Sequence, residues 1–415
     1  MALPLSDPAP DLGPLPLPRF EDVLERALGG ERLGRADGIA LLTTSDEELP
    51  RLLEVAGRLR DRAKGRTVTY SPKVFLPITN LCRDRCRYCT FRRDPWQDGA
   101  WTMTIDEVRE CTRRGRELGC HEALMCLGDR PETAFRQYRG LLSLFGAAST
   151  VDYVATTCEV ALAEGVFPHT NAGVLTAEEL EVLKPVNVSM GLMLENVSPR
   201  LTARGGPHHA APDKDPAVRL RTIEDAGRLR IPFTTGILIG IGETLVERLD
   251  SLLAIRDLHD RFDHIQEVIV QNFRAKPEIA MADAPEPDDL EMARTVAAAR
   301  LVLGESMNLQ APPNLSPNGH RLLLRAGIND WGGISPLTRD YVNPEAPWPH
   351  VSRLAADCQA EGYELRPRLP IYPEYVDRPG FLHPALHGVV HTALEETTLP
   401  VPPPAAVSEP AGVVV

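Results

Sequence analysis

The chain has 415 residues, of which 43% are hydrophobic, and carries a formal net charge of −13 at pH 7. This length and composition predict a globular protein with a large buried core, built as one α/β barrel or as a few smaller domains. The negative charge argues against general affinity for nucleic acid or anionic membranes, and apolar runs that are broken by charges predict no membrane-spanning helix.

The predicted elements begin with a proline-rich segment. Residues 1–18 and, at the other end, residues 396–415 are predicted to be disordered tails, because they offer little apolar surface to bury. The N-terminus lacks the basic start and apolar core of a secretory signal, so the predicted location is the cytoplasm. Residues 19–70 are predicted to form a helical segment, since apolar residues recur at helical spacing from Phe20 to Leu28.

Between residues 71 and 345, short apolar runs alternate with amphipathic stretches. The runs, each a predicted strand, are Val74–Ile78, Ala123–Leu127, Pro168–Val174, Val186–Leu194, Phe233–Ile241, Ile265–Val270 and Met307–Ala311. Thr104 and Thr176 each precede a glutamate by three residues, which predicts two capped helices among the intervening stretches. Alternation of this kind predicts a parallel sheet, and about six to eight units predict a closed or nearly closed (β/α) barrel with its active site at the carboxyl ends of the strands. Residues 346–395 are predicted to be a C-terminal extension.

Three cysteines follow the first predicted strand. Cys82, Cys86 and Cys89 have the spacing Cys-x3-Cys-x2-Cys. Three thiolates so close in sequence can hold three irons of a [4Fe–4S] cluster and leave the fourth iron open to an outside ligand. A structural zinc site is the alternative, but it needs a fourth ligand, and the other five cysteines are scattered singly along the chain.

This cysteine loop, placed after the first strand of a barrel, resembles the radical S-adenosylmethionine (SAM) superfamily. The resemblance implies a [4Fe–4S] cluster on the three cysteines and SAM bound at its open iron, where SAM is cleaved to methionine and a 5′-deoxyadenosyl radical. It also implies further SAM contacts at matching positions, although ordinary roles in turns and helix caps remain open for several of them. These positions are Tyr88, Gly128, Asp129, Ser189, Glu195, Gly236 and Gly240.

Longer stretches are similar to one family, the CofG subunit of deazaflavin (FO) synthase. The similarity spans about residues 70 to 350 and is carried beyond the cysteines by the segments Ile231–Thr244, His264–Pro277 and Asn329–Pro336. It implies a radical SAM lyase of coenzyme F420 biosynthesis, which converts 5-amino-5-(4-hydroxybenzyl)-6-(D-ribitylimino)-5,6-dihydrouracil to FO with loss of ammonia. The implied partners are the radical SAM protein CofH, which makes this hydroxybenzyl-ribitylaminouracil adduct, and a reducing flavodoxin or ferredoxin.

The implied substrate carries a phenol, a uracil and a ribityl chain, so its pocket needs amide and hydroxyl partners more than charge. Candidates lie at predicted strand ends and in the loop around Trp331, although each can also be an ordinary polar loop residue: Gln271, Asn272, Asn314, Asp330 and Ser335. His169 and Asn171 are expected to face the same mouth. The segment Arg204–Asp215, which contains His208, is interpreted as a solvated lid. The sequence singles out no general base.

Three other functions stay open at this stage. A CofH-like or menaquinone-pathway radical SAM enzyme would share the cofactor residues but differ in its substrate segments. A non-catalytic iron–sulfur or zinc protein would use the same cysteines without cleaving SAM. A barrel hydrolase would carry the cysteines incidentally.

Overall fold

The computed structural model describes residues 17–397. The two predicted disordered tails therefore lie outside the described residues, apart from positions 17–18 and 396–397, the last two of which end a helix.

Nine strands within the described range form one parallel sheet. They are β1 (Thr67–Thr79), β2 (Glu122–Leu127), β3 (Phe167–Asn171), β4 (Ser189–Gly191), β5 (Phe233–Ile239), β6 (Ile265–Asn272), β7 (Leu309–Gln310), β8 (Asp330–Ile334) and β9 (Glu364–Pro367). The first eight pair in order, and β1 pairs with both β2 and β8, so the sheet closes into a barrel. The predicted (β/α) barrel is confirmed at eight strands, and every predicted apolar run overlaps a strand.

Helices lie between these strands, before β1 and after β9. In chain order they are α1 (Phe20–Leu28), α2 (Arg35–Leu42), α3 (Leu49–Lys64), α4 (Ile105–Glu117), α5 (Pro131–Ala134), α6 (Arg136–Leu144), α7 (Thr150–Ala163), α8 (Ala177–Leu183), α9 (Pro216–Arg228), α10 (Leu245–Phe262), α11 (Asp289–Leu303), α12 (His320–Arg325), α13 (Val351–Ala360), α14 (Pro373–Val376) and α15 (Pro384–Thr397). The two predicted capping boxes are confirmed: Thr104 caps α4 with Glu107, and Thr176 caps α8 with Glu179.

The three helices that precede the first strand pack on the outside of the barrel. α3 lies against α11, and α2 lies against α10 and α11. The guanidinium of Arg60 on α3 is fully buried and donates to the carbonyl of Ile328 at 2.7 Å, ahead of β8. The N-terminal helices thus cover the side of the barrel that the later βα units form.

β1 begins several residues before the apolar run that predicted it. Its polar first half pairs with β9 and β8, and its apolar second half pairs with β2. The prediction that Asp330 lies in a loop is wrong, because this residue is the first of β8. The sequence of this strand, Asp-Trp-Gly-Gly-Ile, lacks an apolar run, and the neighbouring strands supply the order that hydrophobic periodicity does not reveal.

A segment after β9, Arg368–Tyr372, closes the amino-terminal end of the barrel, and we call it the strap. The carbonyl of Pro370 in the strap accepts hydrogen bonds from Ser189 at the start of β4, at 2.7 Å, and from Gln266 in β6, at 3.0 Å. Arg368 forms ion pairs with Asp330 at the start of β8 and with Glu267 in β6. The barrel interior is therefore accessible from the carboxyl ends of its strands.

No helix in the described part of the chain is long and apolar enough to span a bilayer.

A fully buried arginine joins α11 to the loops around β7. Arg300 donates to the carbonyls of Gly304, Glu305, Met307 and Gly327 and to the side chain of Asn329, at 2.6–3.2 Å. Burial lowers the pKa of its guanidinium to about 9. The side chain remains cationic at pH 7, with its charge satisfied by backbone carbonyls.

We predict that Arg300→Leu lowers the free energy of unfolding by about 3 kcal/mol, because it leaves buried carbonyls without donors. Urea unfolding followed by circular dichroism measures the change. Arg113→Leu on the exposed face of α4 is the matched control and should leave the unfolding midpoint where it is. Equal midpoints for the wild type and Arg300→Leu would show that the network does not support the fold.

Candidate cofactor site at the carboxyl ends of the strands

A cavity of about 290 Å³ lies at the carboxyl ends of the barrel strands. Its wall combines the loop after β1 with residues at or after the ends of β2, β3, β4, β5 and β6. The structure thereby brings together most of the residues that the sequence singles out. Those that line this cavity are Cys82, Cys86, Tyr88, Cys89, Gly128, Asp129, Glu195, Gln271 and Asn272.

The three cysteines of the loop are all free thiols. Burial raises the pKa of Cys86 to about 12 and that of Cys82 well above the ordinary range. Thiols with such high pKa values stay protonated at pH 7, and binding of a metal centre would displace these protons. The arrangement is that of a metal site rather than of a reactive nucleophile.

The turn after β2 lies directly against the cysteine loop. The backbone N–H of Asp129 donates to Cys82 Sγ at 3.1 Å. A Cβ at Gly128 would stand 2.1 Å from the carbonyl oxygen of Leu81 and 2.6 Å from Cys82 Cβ. Only glycine permits this approach, so Gly128 fixes the distance between the turn and the first cysteine.

Three buried carboxylates lie beside this turn. One oxygen from each of Asp84, Asp129 and Asp213 lies within 4.8 Å of the others. Arg83 forms an ion pair with Asp213, whereas Asp129 Oδ1 and Asp84 Oδ2 are buried with no hydrogen-bond donor among the described residues. Burial and the charge of Asp213 raise the pKa of Asp129 to about 7. An ammonium group in the cavity would give Asp129 the donor that it lacks.

Glu195 is held in the opposite wall of the cavity by the neighbouring strand. Its backbone has φ of 65° and hydrogen-bonds to Gly236 and Leu238 of β5 on either side. Lys214 Nζ lies 2.5 Å from Glu195 Oε1, and Arg219 lies 4.0 Å away. Burial alone would raise the pKa of Glu195, but the charges of Lys214 and Arg219 outweigh it and hold that pKa below its ordinary value. Lys214 and Arg219 also line the cavity and were missed by the sequence analysis.

The segment Arg204–Asp215 packs against the cysteine loop. Its His208 is only 3% exposed, and Nε2 of its ring lies 3.0 Å from the hydroxyl of Tyr88. Burial lowers the pKa of His208 to about 3, so the ring is neutral. The interpretation of His208 as part of a solvated lid is wrong, because its contact with Tyr88 buries it beneath the surface.

Three predicted SAM contacts are not among the residues that line this cavity. Ser189 is at the opposite end of the barrel, beside the strap. A Cβ at Gly236 would stand 2.2 Å from the carbonyl oxygen of Ile269 in β6, and a Cβ at Gly240 would stand 2.4 Å from Pro287. Packing between neighbouring segments therefore accounts for both glycines.

A second cavity, of about 240 Å³, continues along the barrel axis from the first. Gln271 and Asn171 line both cavities, and Asn314 and Trp331 line the second. Two predicted substrate residues do not reach either cavity. Asp330 is bound by Arg368 of the strap, and the Ser335 hydroxyl accepts from backbone N–H groups in the turn after β8.

Four polar groups deep in this second cavity, which we call the axial cavity, were not predicted as site residues: Lys73, Glu122, Glu267 and Arg368. His169, which was expected to face the mouth, lies beside them. A charged residue inside an apolar strand is the only sequence signal for them, and it does not reveal which charges meet.

Comparisons with known proteins agree with this geometry. Residues 76–255 match the model of the radical SAM superfamily. The chain is 49% identical over 324 residues to 7,8-didemethyl-8-hydroxy-5-deazariboflavin synthase of Methanopyrus kandleri, covering 78% of this chain and 96% of that protein. It is 48% identical over 366 residues to FO synthase of Streptomyces coelicolor, covering 86% of this chain and 42% of that protein. The chain thus spans less than half the length of this longer relative.

Solved structures share the fold. The FeFe-hydrogenase maturase HydG from Carboxydothermus hydrogenoformans superimposes with a TM-score of 0.70 at 18% identity, covering 91% of this chain and 90% of that one. Methylornithine synthase (PylB) gives a TM-score of 0.65 at 18% identity, covering 83% of this chain and 97% of that one.

We predict that Gly128→Ala lowers the affinity of the protein for a reconstituted iron–sulfur centre by about tenfold, because the added Cβ displaces the first cysteine. Iron and sulfide analysis after anaerobic reconstitution measures the change. Gly140→Ala on α6, where a Cβ meets open space, is the control and should retain wild-type iron. Full iron content in Gly128→Ala would contradict the assigned role of the turn.

Proposed function

The chain belongs to the 7,8-didemethyl-8-hydroxy-5-deazariboflavin (FO) synthase family of the radical SAM superfamily, and from this membership we propose that it catalyses the ring closure that forms FO. The proposed substrate is the hydroxybenzyl-ribitylaminouracil adduct, which closes to the deazaflavin with loss of ammonia. The observation that carries the proposal is the near-complete coverage of the Methanopyrus kandleri protein, together with three free cysteines on a cavity that continues into the barrel. FO synthase of Streptomyces coelicolor is more than twice as long as this chain, which matches 42% of it. We therefore propose a single activity for this chain.

The cavity that holds the three cysteines, which we call the upper cavity, has residues that fit the cofactors that this activity needs. Cys82, Cys86 and Cys89 would hold a [4Fe–4S] cluster, since three free thiols of one loop line one cavity. Asp129 has a carboxylate oxygen at the same cavity that accepts from no described residue, and it would bind the ammonium of the methionine part of SAM. When bound, the cluster and SAM supply a 5′-deoxyadenosyl radical, which abstracts hydrogen from the substrate.

Other residues of the chain would position the reactants and exclude water. Tyr88, whose hydroxyl contacts His208, lines one side of the upper cavity, and the apolar side chains of Leu238 and Phe273 line another part of it. A dry cavity protects a reactive radical from side reactions. Gln271 lies where the two cavities meet, and its side chain makes no hydrogen bond to any described residue, so its amide is available to the uracil ring.

The remaining partners are part of the same proposal. A cluster of this type needs one electron from outside, which a reduced flavodoxin or ferredoxin would deliver. CofH would supply the adduct. The eight free cysteines suit a reducing compartment such as the cytoplasm.

We predict that Cys86→Ala abolishes both formation of 5′-deoxyadenosine and appearance of FO fluorescence when reduced enzyme is given SAM and the adduct, because the cluster loses one of its three ligands. Cys111→Ala on α4, which removes a half-buried thiol outside the cavity, is the control and should turn over at the wild-type rate. Turnover by Cys86→Ala would refute the cluster assignment. Turnover of tyrosine with the ribitylaminouracil, in place of the adduct, would favour a CofH-like activity.

We predict that Asp129→Asn weakens SAM binding by about tenfold, since an amide cannot form the charge-assisted hydrogen bond that a carboxylate forms with ammonium. Equilibrium dialysis of labelled SAM against the cluster-loaded enzyme measures the affinity. Asp98→Asn in the exposed part of the cysteine loop should bind SAM as the wild type does. Unchanged affinity in Asp129→Asn would remove this residue from the SAM site.

A further inference from the structure

The axial cavity ends at the strap in a ring of polar side chains, which we call the floor. Its members come from five strands and the strap: Lys73, Glu122, His169, Thr234, Glu267 and Arg368. No role in SAM binding or in the sequence-predicted substrate contacts has been assigned to them. They are largely buried, so each polar group here needs a partner in the protein or in a ligand.

The hydrogen bonds of the floor fix the tautomer of His169. The carbonyl of Pro370 can only accept, so the hydroxyl of Ser189 donates to it at 2.7 Å. Ser189 Oγ must then accept from the Nδ1–H of His169, also at 2.7 Å. The Nε2 atom of His169 consequently carries a lone pair, and burial lowers the pKa of the ring to about 4, which keeps it neutral at pH 7.

This Nε2 atom has no hydrogen-bond partner among the residues that the structure describes. A Cβ at Gly191 would stand 2.9 Å from it, so the glycine keeps the space beside the imidazole open. His169 thus presents an acceptor to the axial cavity, and Ser189 sets its direction.

Each cation of the floor is paired with carboxylates. Lys73 pairs with Glu122 at 2.8 Å, and Arg368 pairs with Asp330 at 2.6 Å and with Glu267 at 2.7 Å. A floor with paired charges does not favour a phosphate or a carboxylate ligand, which would require an unpaired cation.

Donors and acceptors nevertheless remain on these side chains. Lys73 uses one of its three N–H groups in the pair with Glu122. Arg368 uses one of the two N–H groups on Nη1 in a hydrogen bond to the carbonyl of Leu369. The carboxylates of Glu122 and Glu267 keep unused lone pairs, and His169 Nε2 is free to accept. The hydroxyl group is the chemical group that donates and accepts at once, so a chain of hydroxyls matches such an alternating surface.

The rest of the axial cavity differs in chemistry from the floor. Above the floor it is lined by the apolar side chains of Phe75, Leu124 and Ile269, and above these lies the cavity of the cysteines. Flat rings suit the apolar middle. A phenol brings a single hydroxyl, which would leave most of the floor without partners once water is displaced.

We propose that the floor is a binding subsite for a polyhydroxylated chain, which under the proposed function is the ribityl group of the adduct. The adduct then lies along the barrel axis with its ribityl group on the strap and its reacting part toward the cysteines. His169 accepts from a ribityl hydroxyl and acts as a specificity residue for the sugar chain. The identity of the ligand depends on the proposed function, whereas the hydroxyl-binding chemistry depends on the floor itself.

Three fluorescent probes test the subsite: FO, its N10-methyl analogue without the ribityl group, and its analogue without the phenolic hydroxyl. Each is titrated against the cluster-loaded enzyme under anaerobic conditions. We expect the wild type to bind FO at least about tenfold more tightly than the N10-methyl analogue, since a site built for hydroxyls rejects a ligand that lacks them. Loss of the phenolic hydroxyl should change the affinity much less.

Variants of His169 assign the effect to the floor. His169→Leu should bind FO only as tightly as the N10-methyl analogue, and His169→Gln, which keeps an acceptor, should recover part of the preference. His350→Leu, which changes an exposed histidine before α13, is the matched control and should keep the whole preference. Iron content and a circular dichroism spectrum equal to those of the wild type would show that His169→Leu is folded.

The outcomes separate the two proposals. If the wild type binds FO and the N10-methyl analogue equally, the floor is not a polyol subsite. This result would not contradict the proposed function in FO synthesis. If the phenolic hydroxyl carries the affinity instead, the adduct lies in the opposite orientation and the inference is wrong. If none of the probes binds and the adduct is not turned over, both the proposed function and the assignment of the floor to the ribityl group are wrong.

Discussion

The charged side chains inside this barrel constrain the rest of the structure, because a charge removed from water must find a partner. Arg368 of the strap is held by Asp330 and Glu267, and this contact closes the amino-terminal end of the barrel. Glu195 is held at the other end by Lys214. These pairs fix the strap and the wall after β4 relative to the strands, so the shape of the interior follows from where the charges can be satisfied.

Against this background of paired groups, a few polar atoms that line the two cavities have no partner among the described residues. They are Asp129 Oδ1 and Asn272 Oδ1 at the upper cavity and His169 Nε2 at the floor. A buried polar atom without a partner costs stability unless a ligand completes its hydrogen bond. These atoms therefore support the proposed positions of the ligands along the barrel axis.

The sequence predicted the parts of the site that depend on local spacing. The cysteine triplet, the turn at Gly128 and the position of Gln271 at a strand end follow from neighbours in the chain and from the rule that parallel strands end together. Lys214 and Arg368 could not be predicted, because their partners Glu195 and Asp330 are distant in sequence. Ser189 and Gly240 matched superfamily positions, but their contacts with the strap and with Pro287 are visible only in three dimensions.

The division of the barrel into two halves connects these observations to specificity. The superfamily match ends at residue 255, within α10, and so includes the cysteines, Asp129, Glu195 and His169 but not β6, β8 or the strap. Glu267 and Arg368, which complete the floor, lie beyond that boundary. The first half of the chain thus provides the cysteines and most of the charged groups of the upper cavity, together with part of the floor. The second half closes the barrel and completes the axial cavity, and the strap sets the depth of its floor.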